Sequence, residues 1–366
     1  MKVLNGVVIC LFAIMFFSCT KKVATYEQVT ENGVRITKNT GVPADSTFKI
    51  ELKEVGFIDM ENETDTIRFL KSASNFDLDE IGNLYLMDRE KNKIHKYDKN
   101  YKFVKAFGRN GRGPGEFFLP GFMNVRKDTL YLSNWTSLRV IKYDLNGNYL
   151  EDKVFPTNEN FPSYPTKFGK EHYISQSTSN RYKSDGKEYM IEEVALFDNK
   201  FNFIKHLYKL EYDSKNDIEH DPSELGSVAA FSDSVIYISE NSKDRYKIDV
   251  YNSDGVKIRE INKNYAKTKA NEKEAQALYE AGVKYGMKFK MTYKNSINWM
   301  LTDKFGRLWV LAKNGTEESL YFHIYENDIL LNKIVLNVEK GYDPYFVGDK
   351  IVAINRDNNN IKIYEY

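Results

Sequence analysis

The feature that most constrains the fold of this chain is an internal repeat of short β-strands. A strand of alternating apolar residues ends in an aromatic residue, and in most copies an Asp or Asn, a turn and another strand follow. The aromatic residues are Tyr97, Tyr143, Phe197, Tyr251, Tyr325 and Tyr364. Upstream of each lies another strand with its own large anchor, and these anchors are Tyr85, Tyr131, Tyr173, Tyr237, Trp309 and Val352. A further short strand and a tight turn precede each anchor, so each unit has four strands. Six such units predict an all-β, six-bladed propeller.

Each predicted blade contains strands A to D, counted from the axis outward. The blades are expected over residues 70–108, 118–156, 163–210, 226–262, 296–338 and 344–366. The sixth blade lacks strand D at the end of the chain. Residues 46–56, which include TFKIELKEV, alternate apolar and charged side chains. We therefore expect this N-terminal strand to complete the last blade and close the ring.

A glycine-rich segment, FGRNGRGPGEFFLP at 107–120, leads from blade one into blade two. Its glycines allow sharp turns, and Pro114 stiffens the crossing. We expect Phe117 and Phe118 to wedge between the two blades. A phosphate-binding loop would need GxxxxGK[ST] or GxGxxG opening a helix, whereas a strand follows here. The pattern therefore favours an architectural role over phosphate binding.

This segment resembles the G-x-G-x-G-x-F-x-x-P signature of NHL-type propellers. The sequence DEIGNLYLMDREKNKIHKYD resembles the rest of that repeat, and the match is clearest over residues 76–150. With the N-terminus described next, the chain resembles the six-bladed β-propeller lipoproteins of Bacteroides-type bacteria. The resemblance implies a fold and a location, and no particular chemistry.

The N-terminus has the pattern of a secretory signal. Residues 1–18 contain Lys2 and an apolar run that is too short to span a bilayer. The run ends in FFSC, which resembles a bacterial lipobox and implies cleavage before Cys19 and lipid, such as palmitate, at that residue. An ordinary signal peptide with a chance cysteine is the alternative. We predict a flexible tether over 19–45 and an anchor in the cell envelope, at the outer membrane.

Composition excludes two classes of partner or site. Lys plus Arg is 53 and Asp plus Glu is 52, so a net charge of +1 gives no overall attraction to nucleic acid. Cys10 lies in the removed segment and Cys19 carries the lipid, so we expect no disulfide and no thiolate metal site.

Loop lengths select one face of the propeller for binding. The A–B and C–D turns are short throughout, whereas the D–A and B–C loops on the other face are long. Residues 262–298 include NEKEAQALYEAGVKYG, where Asn271 and Glu274 predict the start of a helix. This helix between blades four and five is either a lid or a packing element. Long loops on a rigid scaffold usually carry the binding site.

Cations and aromatic residues recur in these loops. The candidate ligand-binding residues are Arg89, Arg112, Trp135, Arg181, Tyr182, Arg245, Tyr246 and Arg356. One interpretation is a cationic rim that binds an anionic glycan or peptide, or a partner protein. The other is a solvated loop surface, because 29% of all residues are charged.

Signals for an enzyme are weak. The sequence has no HExxH, no GxSxG and no cysteine nucleophile. Strand A carries Asn75, Asn124 and Asn298, which are more typical of core or channel residues than of a metal site. We therefore predict no catalytic residues, no metal and no cofactor, and a non-catalytic binding module on the membrane. The alternative is a lyase or hydrolase of acidic polysaccharide that uses arginines and loop carboxylates, for which the candidates are Glu116, Asp221, Glu224 and Asp343.

Overall fold

The computed structural model describes residues 24–60, 63–157, 160–169, 171–182, 188–213, 219–284, 287–314 and 319–366. These residues form six blades, each built on four antiparallel strands. The predicted all-β, six-bladed fold class is confirmed, since blades one to five are meanders of consecutive strands and the sixth contains three consecutive strands and one from the N-terminal region.

The strands follow the chain from the N-terminal region through the six blades. The N-terminal strands are β1 (Tyr26–Glu31), β2 (Val34–Asn39) and β3 (Lys53–Ile58). Blade one contains β4 (Ala73–Leu78), β5 (Leu84–Asp88), β6 (Lys93–Tyr97) and β7 (Phe103–Phe107). Blade two contains β8 (Phe122–Arg126), β9 (Thr129–Asn134), β10 (Arg139–Asp144) and β11 (Tyr149–Val154). Blade three contains β12 (Thr166–Phe168), β13 (His172–Tyr182), β14 (Glu188–Asp198) and β15 (Phe203–Asp213).

Short elements precede and follow blade four. The first connection contains β16 (Glu219–His220) and a 3-10 helix (Pro222–Glu224). Blade four contains β17 (Ser227–Phe231), β18 (Ile236–Glu240), β19 (Lys247–Tyr251) and β20 (Lys257–Lys263). The second connection contains α1 (Glu272–Lys284) and β21 (Lys288–Phe289). Blade five contains β22 (Trp299–Thr302), β23 (Leu308–Asn314), β24 (Ser319–Glu326) and β25 (Ile329–Asn337). Blade six contains β26 (Tyr342–Val347), β27 (Lys350–Asn355) and β28 (Ile361–Glu365).

The repeated anchors form the core between the blades. The anchors of strand B are all buried, with Tyr85, Trp309 and Val352 fully so. Each apolar cluster joins neighbouring blades, as in the one that contains Tyr85 from blade one and Tyr143 from blade two. Burial of large side chains at these seams stabilises the ring by the hydrophobic effect.

The Asp that follows the repeated aromatic residue builds the C–D turn. The carboxylates of Asp98, Asp144 and Asp198 each accept hydrogen bonds from the backbone N–H groups two and four residues later. The residue three positions after the Asp has a positive φ, which is 62° at Tyr101 and 59° at Phe201. The side chain thus stabilises a left-handed turn that most residues disfavour.

Ring closure involves a later segment than the sequence predicts. The predicted strand covered 46–56, whereas β3 begins at Lys53 and pairs antiparallel with β28 in blade six. The alternating residues Phe48, Ile50 and Leu52 pack instead against the apolar cluster around Trp309. Their alternation therefore reflects packing of an extended segment and not a place in the sheet.

The tether predicted over 19–45 is corrected for residues 26–39. Strands β1 and β2 form a hairpin, and β2 pairs in parallel with β20 at the outer edge of blade four. The buried residues of β2 include Thr37 and Asn39. The amide of Asn39 donates to the carbonyl of Asp328 at 3.1 Å, and its Oδ1 accepts from the Leu330 N–H at 2.8 Å. Polar side chains hold this hairpin, so hydrophobic alternation does not reveal it.

The glycine-rich segment separates the two phenylalanines that were expected to wedge between blades. Phe117 is fully buried in the cluster between blades one and two. Phe118 is 45% exposed, which corrects the prediction for that residue. Consecutive residues of an extended chain point to opposite sides, so one ring enters the seam and the other leaves it.

Two elements extend from the long-loop face, which we define as the face of the D–A and B–C loops. The expected loop around residue 180 is instead a continuation of β13 and β14, which pair up to Tyr182 and Glu188. The predicted helix is confirmed as α1. Its capping box consists of Glu274 N–H to Asn271 Oδ1 at 2.8 Å and Asn271 N–H to Glu274 Oε2 at 3.1 Å. Across the described part of the chain, no helix has the length and apolar character to span a membrane.

Candidate ligand-binding site

A cavity of about 2170 Å³ runs along the propeller axis. Strand A of every blade contributes to its wall, through β4, β8, β12, β17, β22 and β26. On one side it reaches A–B turns such as 80–82 and 348–350, and on the other it reaches residues of the long-loop face such as Trp135. Its wall contains both apolar and polar side chains, and a concave site of this kind is where ligands usually bind.

Several polar side chains of strand A hold neighbouring blades together. Asn75 Oδ1 accepts from the Met123 N–H at 2.7 Å, and Thr302 Oγ1 donates to the Phe231 carbonyl at 2.6 Å. Asn124 donates in the same way to the Pro165 carbonyl. These residues therefore stabilise the seams between blades. Asn298 precedes β22, and its backbone N–H donates to the Leu311 carbonyl at 2.8 Å.

Asp77 is the carboxylate of strand A in blade one that lines the cavity. Its Oδ2 accepts from the Val125 N–H at 2.7 Å, and Arg126 lies 3.6 Å away. Burial raises the pKa of Asp77, although Arg126 and the backbone donors oppose the shift. Because Asp77 accepts a hydrogen bond from the backbone of blade two, it stabilises the seam between blades one and two, as Asn75 does.

In blade three, a different strand forms the wall of the cavity. Strand β12 has three residues, and its described pairing with β13 ends at Ile174, although β13 continues to Tyr182. Strand B therefore replaces strand A as the wall, and its residues Gln176, Ser177, Thr178 and Ser179 line the cavity. We call this part of the cavity, bounded by 176–179 and Glu193, the blade-three recess.

Glu193 on β14 is the carboxylate of the recess. Its side chain is 5% exposed and lines the cavity. Oε1 accepts from Ser177 Oγ at 3.1 Å, and Oε2 lies 3.2 Å from His206 Nδ1. Two positions along the same strand face, Ala195 packs in the cluster with Phe155 between blades two and three. The carboxylate therefore lies at the edge of an apolar seam.

Aromatic rings form the adjacent wall of the cavity. Trp135 Nε1 donates to the Ser163 carbonyl at 3.1 Å, and the Trp135 and Tyr164 ring centroids are 5.3 Å apart in an edge arrangement. A Cβ at Gly121 would lie 2.0 Å from the Trp135 ring, so this glycine permits the close approach. Phe161 lines the same side. The rings are held in place before any ligand arrives, which reduces the entropy lost on binding.

A family model described as a six-bladed β-propeller, DUF5128, matches residues 28–347. The chain belongs to this family. The fold is also similar to that of a DUF4221 protein from Bacteroides vulgatus, at 13% identity and a TM-score of 0.50, covering 86% of this chain and 97% of that one. A Bacteroides fragilis protein described as exported has 14% identity and a TM-score of 0.47, with 89% and 97% covered. Virginiamycin B lyase from Staphylococcus aureus has 11% identity and a TM-score of 0.40, with 86% and 100% covered. No curated protein matches the chain in sequence.

Within this DUF5128 propeller, the structure separates the predicted site residues. Trp135 lines the cavity. Arg89, Arg112 and Arg245 are exposed, and Arg245 lies 3.9 Å from Glu240. Arg356 donates hydrogen bonds to Asp343 at 2.9 Å and to the Ala73 carbonyl at 3.2 Å. The bond to Ala73 connects blade six to blade one.

The positions of three other predicted residues require correction. Tyr246 is 3% exposed, and its hydroxyl lies 3.1 Å from His323 Nδ1 in the core between blades four and five. It is buried because it directly precedes the third strand of its blade, β19, and packs into the apolar cluster between the two blades. Arg181 and Tyr182 lie in β13 and not in a loop. Cys19 lies outside the described residues.

The loop carboxylates of the enzyme hypothesis all have cationic partners. Glu116 pairs with Arg109 at 2.7 Å, and the backbone of Gly113 and the Arg109 charge lower its pKa. Lys243 lies 2.5 Å from Asp221 and 3.4 Å from Glu224. Asp343 pairs with Arg356. Among the described residues, no group of three or more His, Cys, Asp or Glu side chains could hold a metal ion.

Two D–A connections join on the long-loop face. Glu219 and His220 of β16 pair in parallel with Lys288 and Phe289 of β21. Helix α1 packs on β21 through Gly282, where a Cβ would lie 2.6 Å from the Phe289 ring. The described residues of α1 do not line the cavity.

The recess was missed because its sequence signal is polar. The stretch SQSTS at 175–179 stands where a buried strand would show apolar alternation, and Glu192 and Glu193 follow on the next strand. A serine-rich strand inside an otherwise apolar repeat was the signal that could have identified it.

Proposed function

We propose that this propeller is a lipid-anchored binding protein that takes a polyhydroxylated ligand, such as an oligosaccharide, into its axial cavity from the long-loop face. The proposal rests on one observation, which is that fixed aromatic rings and a wall of hydroxyl and amide side chains lie together at blades two and three. The C–H face of a sugar ring packs on aromatic rings, while its hydroxyl groups exchange hydrogen bonds with polar side chains.

The dimensions of the cavity support a ligand of several sugar units. A volume of about 2170 Å³ exceeds the 300–1,000 Å³ that is usual for a site of a drug-sized molecule. The cavity also reaches both faces of the ring, so a chain longer than one residue has room along the axis.

The charges of the long-loop face favour a neutral ligand over an anionic one. Arg356 is held by Asp343, and Arg139 is buried against Asp152. A paired arginine must break its ion pair with the carboxylate before it can bind an anion. The cost of breaking the pair makes the free energy of anion binding less favourable. Arg89, Arg112 and Arg245 are exposed, so an anionic glycan or peptide would bind through these residues.

The anchor would hold the ring close to the membrane. Tyr26, the first residue of β1, is seven positions after Cys19. Seven residues span at most about 25 Å when fully extended. Because β1 and β2 belong to the sheet of blade four, lipid at Cys19 would place the edge of that blade nearest the lipid surface.

Titration of the purified propeller with cellohexaose, xylohexaose, mannohexaose, maltohexaose and hexagalacturonic acid tests the proposal. Calorimetry measures binding, and tryptophan fluorescence reports on Trp135 and Trp299, which line the cavity. We expect at least one neutral hexasaccharide to bind, and Trp135→Ala to weaken binding about 10-fold or more through lost ring contact. The matched control is Tyr279→Ala, an exposed ring on α1.

The outcomes separate three functions. Binding of hexagalacturonic acid alone, weakened by Arg245→Ala and not by Lys99→Ala in a C–D turn, would support the cationic rim and reject the neutral ligand. Shortened products in the same mixtures, detected by chromatography, would support the glycan-active enzyme. Absence of binding to every hexasaccharide would reject the proposed ligand class.

A further inference from the structure

Glu193 is a buried carboxylate that has a histidine, His206, as its ion-pair partner. The described structure places no Lys or Arg within ion-pair distance of it. His206 Nδ1 lies 3.2 Å from Oε2 without hydrogen-bond geometry, and this contact is an ion pair only when the imidazole is protonated. Ser177 satisfies Oε1. A carboxylate that is 5% exposed at the edge of an apolar seam is costly unless donors surround it.

The order of groups around Glu193 differs from that of a nucleophilic triad. In a triad the imidazole lies between the hydroxyl and the carboxylate, whereas here the carboxylate lies between Ser177 and His206. The arrangement therefore does not activate Ser177 through a histidine. Ser177 and Glu193 both line the cavity, although Oε2 of Glu193 is itself buried.

The neighbouring residue Glu192 provides a contrast within the same strand. Its side chain lies on the opposite face of β14, where Tyr212 donates to Oε1 at 3.0 Å. A Cβ at Gly226 would lie 2.2 Å from Glu192 Oε2, so this carboxylate fills a tight structural position. Burial raises the pKa of Glu192, while the hydrogen bond from Tyr212 opposes the shift. Glu192 therefore has a structural role and does not line the cavity, whereas Glu193 lines it.

We propose that Glu193 is the specificity-determining residue of the cavity, accepting a hydrogen bond from a hydroxyl group of a sugar. A carboxylate oxygen can accept two hydrogen bonds, so Oε1 can bond a sugar hydroxyl in addition to the Ser177 hydroxyl. The rings of Trp135 and Phe161 line the same part of the cavity, so the sugar that bonds Glu193 has an aromatic surface beside it. This inference rests on the proposed function and adds the group that selects the ligand.

The test compares Glu193→Gln with Glu192→Gln, using the neutral hexasaccharide that binds the unaltered protein most tightly. The glutamine keeps the shape but replaces one acceptor oxygen by a donor, which cannot bond a hydroxyl in the same way. We expect the affinity to fall about 10- to 100-fold for Glu193→Gln, as for a lost hydrogen bond to a charged group. The affinity of Glu192→Gln should remain within about twofold of the unaltered protein.

A second probe tests the direction of the hydrogen bonds. The permethylated form of the same hexasaccharide keeps the oxygen acceptors and loses every hydroxyl donor. We expect it to bind the unaltered protein at least about 10-fold more weakly, and expect Glu193→Gln to discriminate less between the two forms. The melting temperature of Glu193→Gln should stay within about 2 °C, because the carboxylate serves the ligand more than the seam.

Each result decides between the inference and its alternatives. Equal affinity of Glu193→Gln and the unaltered protein would overturn the role of Glu193 and leave the proposed function standing. Absence of binding by the unaltered protein would overturn both. A large loss of melting temperature in Glu193→Gln, with affinity retained in Ser177→Ala, would assign Glu193 to structure. Affinity lowered about 3-fold or more in a stable Ser177→Ala would support the proposal, since Ser177 orients the carboxylate.

Discussion

The buried carboxylate of Asp328 should hold the N-terminal hairpin to the ring. Its side chain is 1% exposed and accepts from Arg35 of β2 at 2.9 Å and from Arg259 of β20 at 2.7 Å. Arg259 is 18% exposed and Arg35 is 46% exposed. Asp328 therefore joins the hairpin, blade four and the C–D turn of blade five through one charge.

Asp328→Asn is the perturbation that isolates this charge. Asp328 has a φ of 71°, and Asn tolerates that left-handed conformation, so the change adds little backbone strain. Removing one partner of a buried ion pair costs about 3–5 kcal/mol. The amide keeps one acceptor and Arg35 reaches water, so we expect a loss of about 2–3 kcal/mol in the free energy of unfolding. Arg35→Ala should cost under about 1 kcal/mol, because that arginine is half-exposed.

Urea denaturation and limited proteolysis measure the two consequences. The denaturation midpoint of Asp328→Asn should fall, and cleavage within residues 26–39 should become faster than in the unaltered protein. Asp254→Asn, at an exposed position in the C–D turn of blade four, is the matched control and should change neither. A loss below about 1 kcal/mol, or unchanged cleavage of the hairpin, would refute the role assigned to Asp328.

Three further changes test other parts of the structure. Gly56→Ala should lower the melting temperature, because a Cβ there would lie 2.0 Å from the Tyr101 ring; Tyr101→Ala in the same chain should remove part of that loss. Burial lowers the pKa of His95 to about 4 and that of His323 to about 3. As the pH falls, these histidines become protonated in the unfolded chain before they do in the folded protein. The free energy of unfolding should therefore decrease as the pH drops from about 6.5 toward 4. In thermal melts over this pH range, the melting temperature of His95→Leu should fall less than that of the unaltered protein. An equal fall would contradict the role of His95. The Cys19→Ala protein should either be lost from the membrane fraction or keep its uncleaved signal segment. A Cys19→Ala protein that is cleaved normally and stays bound to the membrane would exclude the lipid anchor.

The sequence predicts those parts of the fold that repeat. The aromatic anchors recur on strands B and C because each blade must fill the same seam, and a position such as Tyr143 or Trp309 is therefore recognisable. The Asp of the C–D turn is recognisable for a similar reason, since its carboxylate caps the same turn in successive blades. Repetition gives several independent observations of one physical requirement.

The parts that do not repeat were poorly predicted from the sequence. The hairpin at 26–39 is held by Asn39 and Asp328, whose contacts are nearly 300 residues apart in the chain. The cations of the long-loop face are visible in the sequence, but the carboxylates that neutralise them are not assigned by spacing. Arg356 and Asp343 show this, because they are 13 positions apart and pair across the ends of two neighbouring strands of blade six. Of the predicted ligand-binding residues, Trp135 lines the cavity, and Glu193 was not among them.

The recess and the seams follow from one requirement of a closed ring. Each blade must bond its neighbour near the axis, and polar side chains of strand A serve this purpose, as Asn75 does toward blade two. Such groups are occupied and have little capacity left for a ligand. Where β12 ends after three residues, strand B faces the axis instead, and its polar side chains are not all needed to join blades. Gln176 Nε2 still donates a hydrogen bond to the Ser227 carbonyl of blade four at 2.9 Å. Ser177 Oγ, in contrast, donates to Glu193 Oε1 within its own blade at 3.1 Å. Shortening one inner strand is therefore sufficient to convert part of a structural wall into a surface that can recognise a ligand.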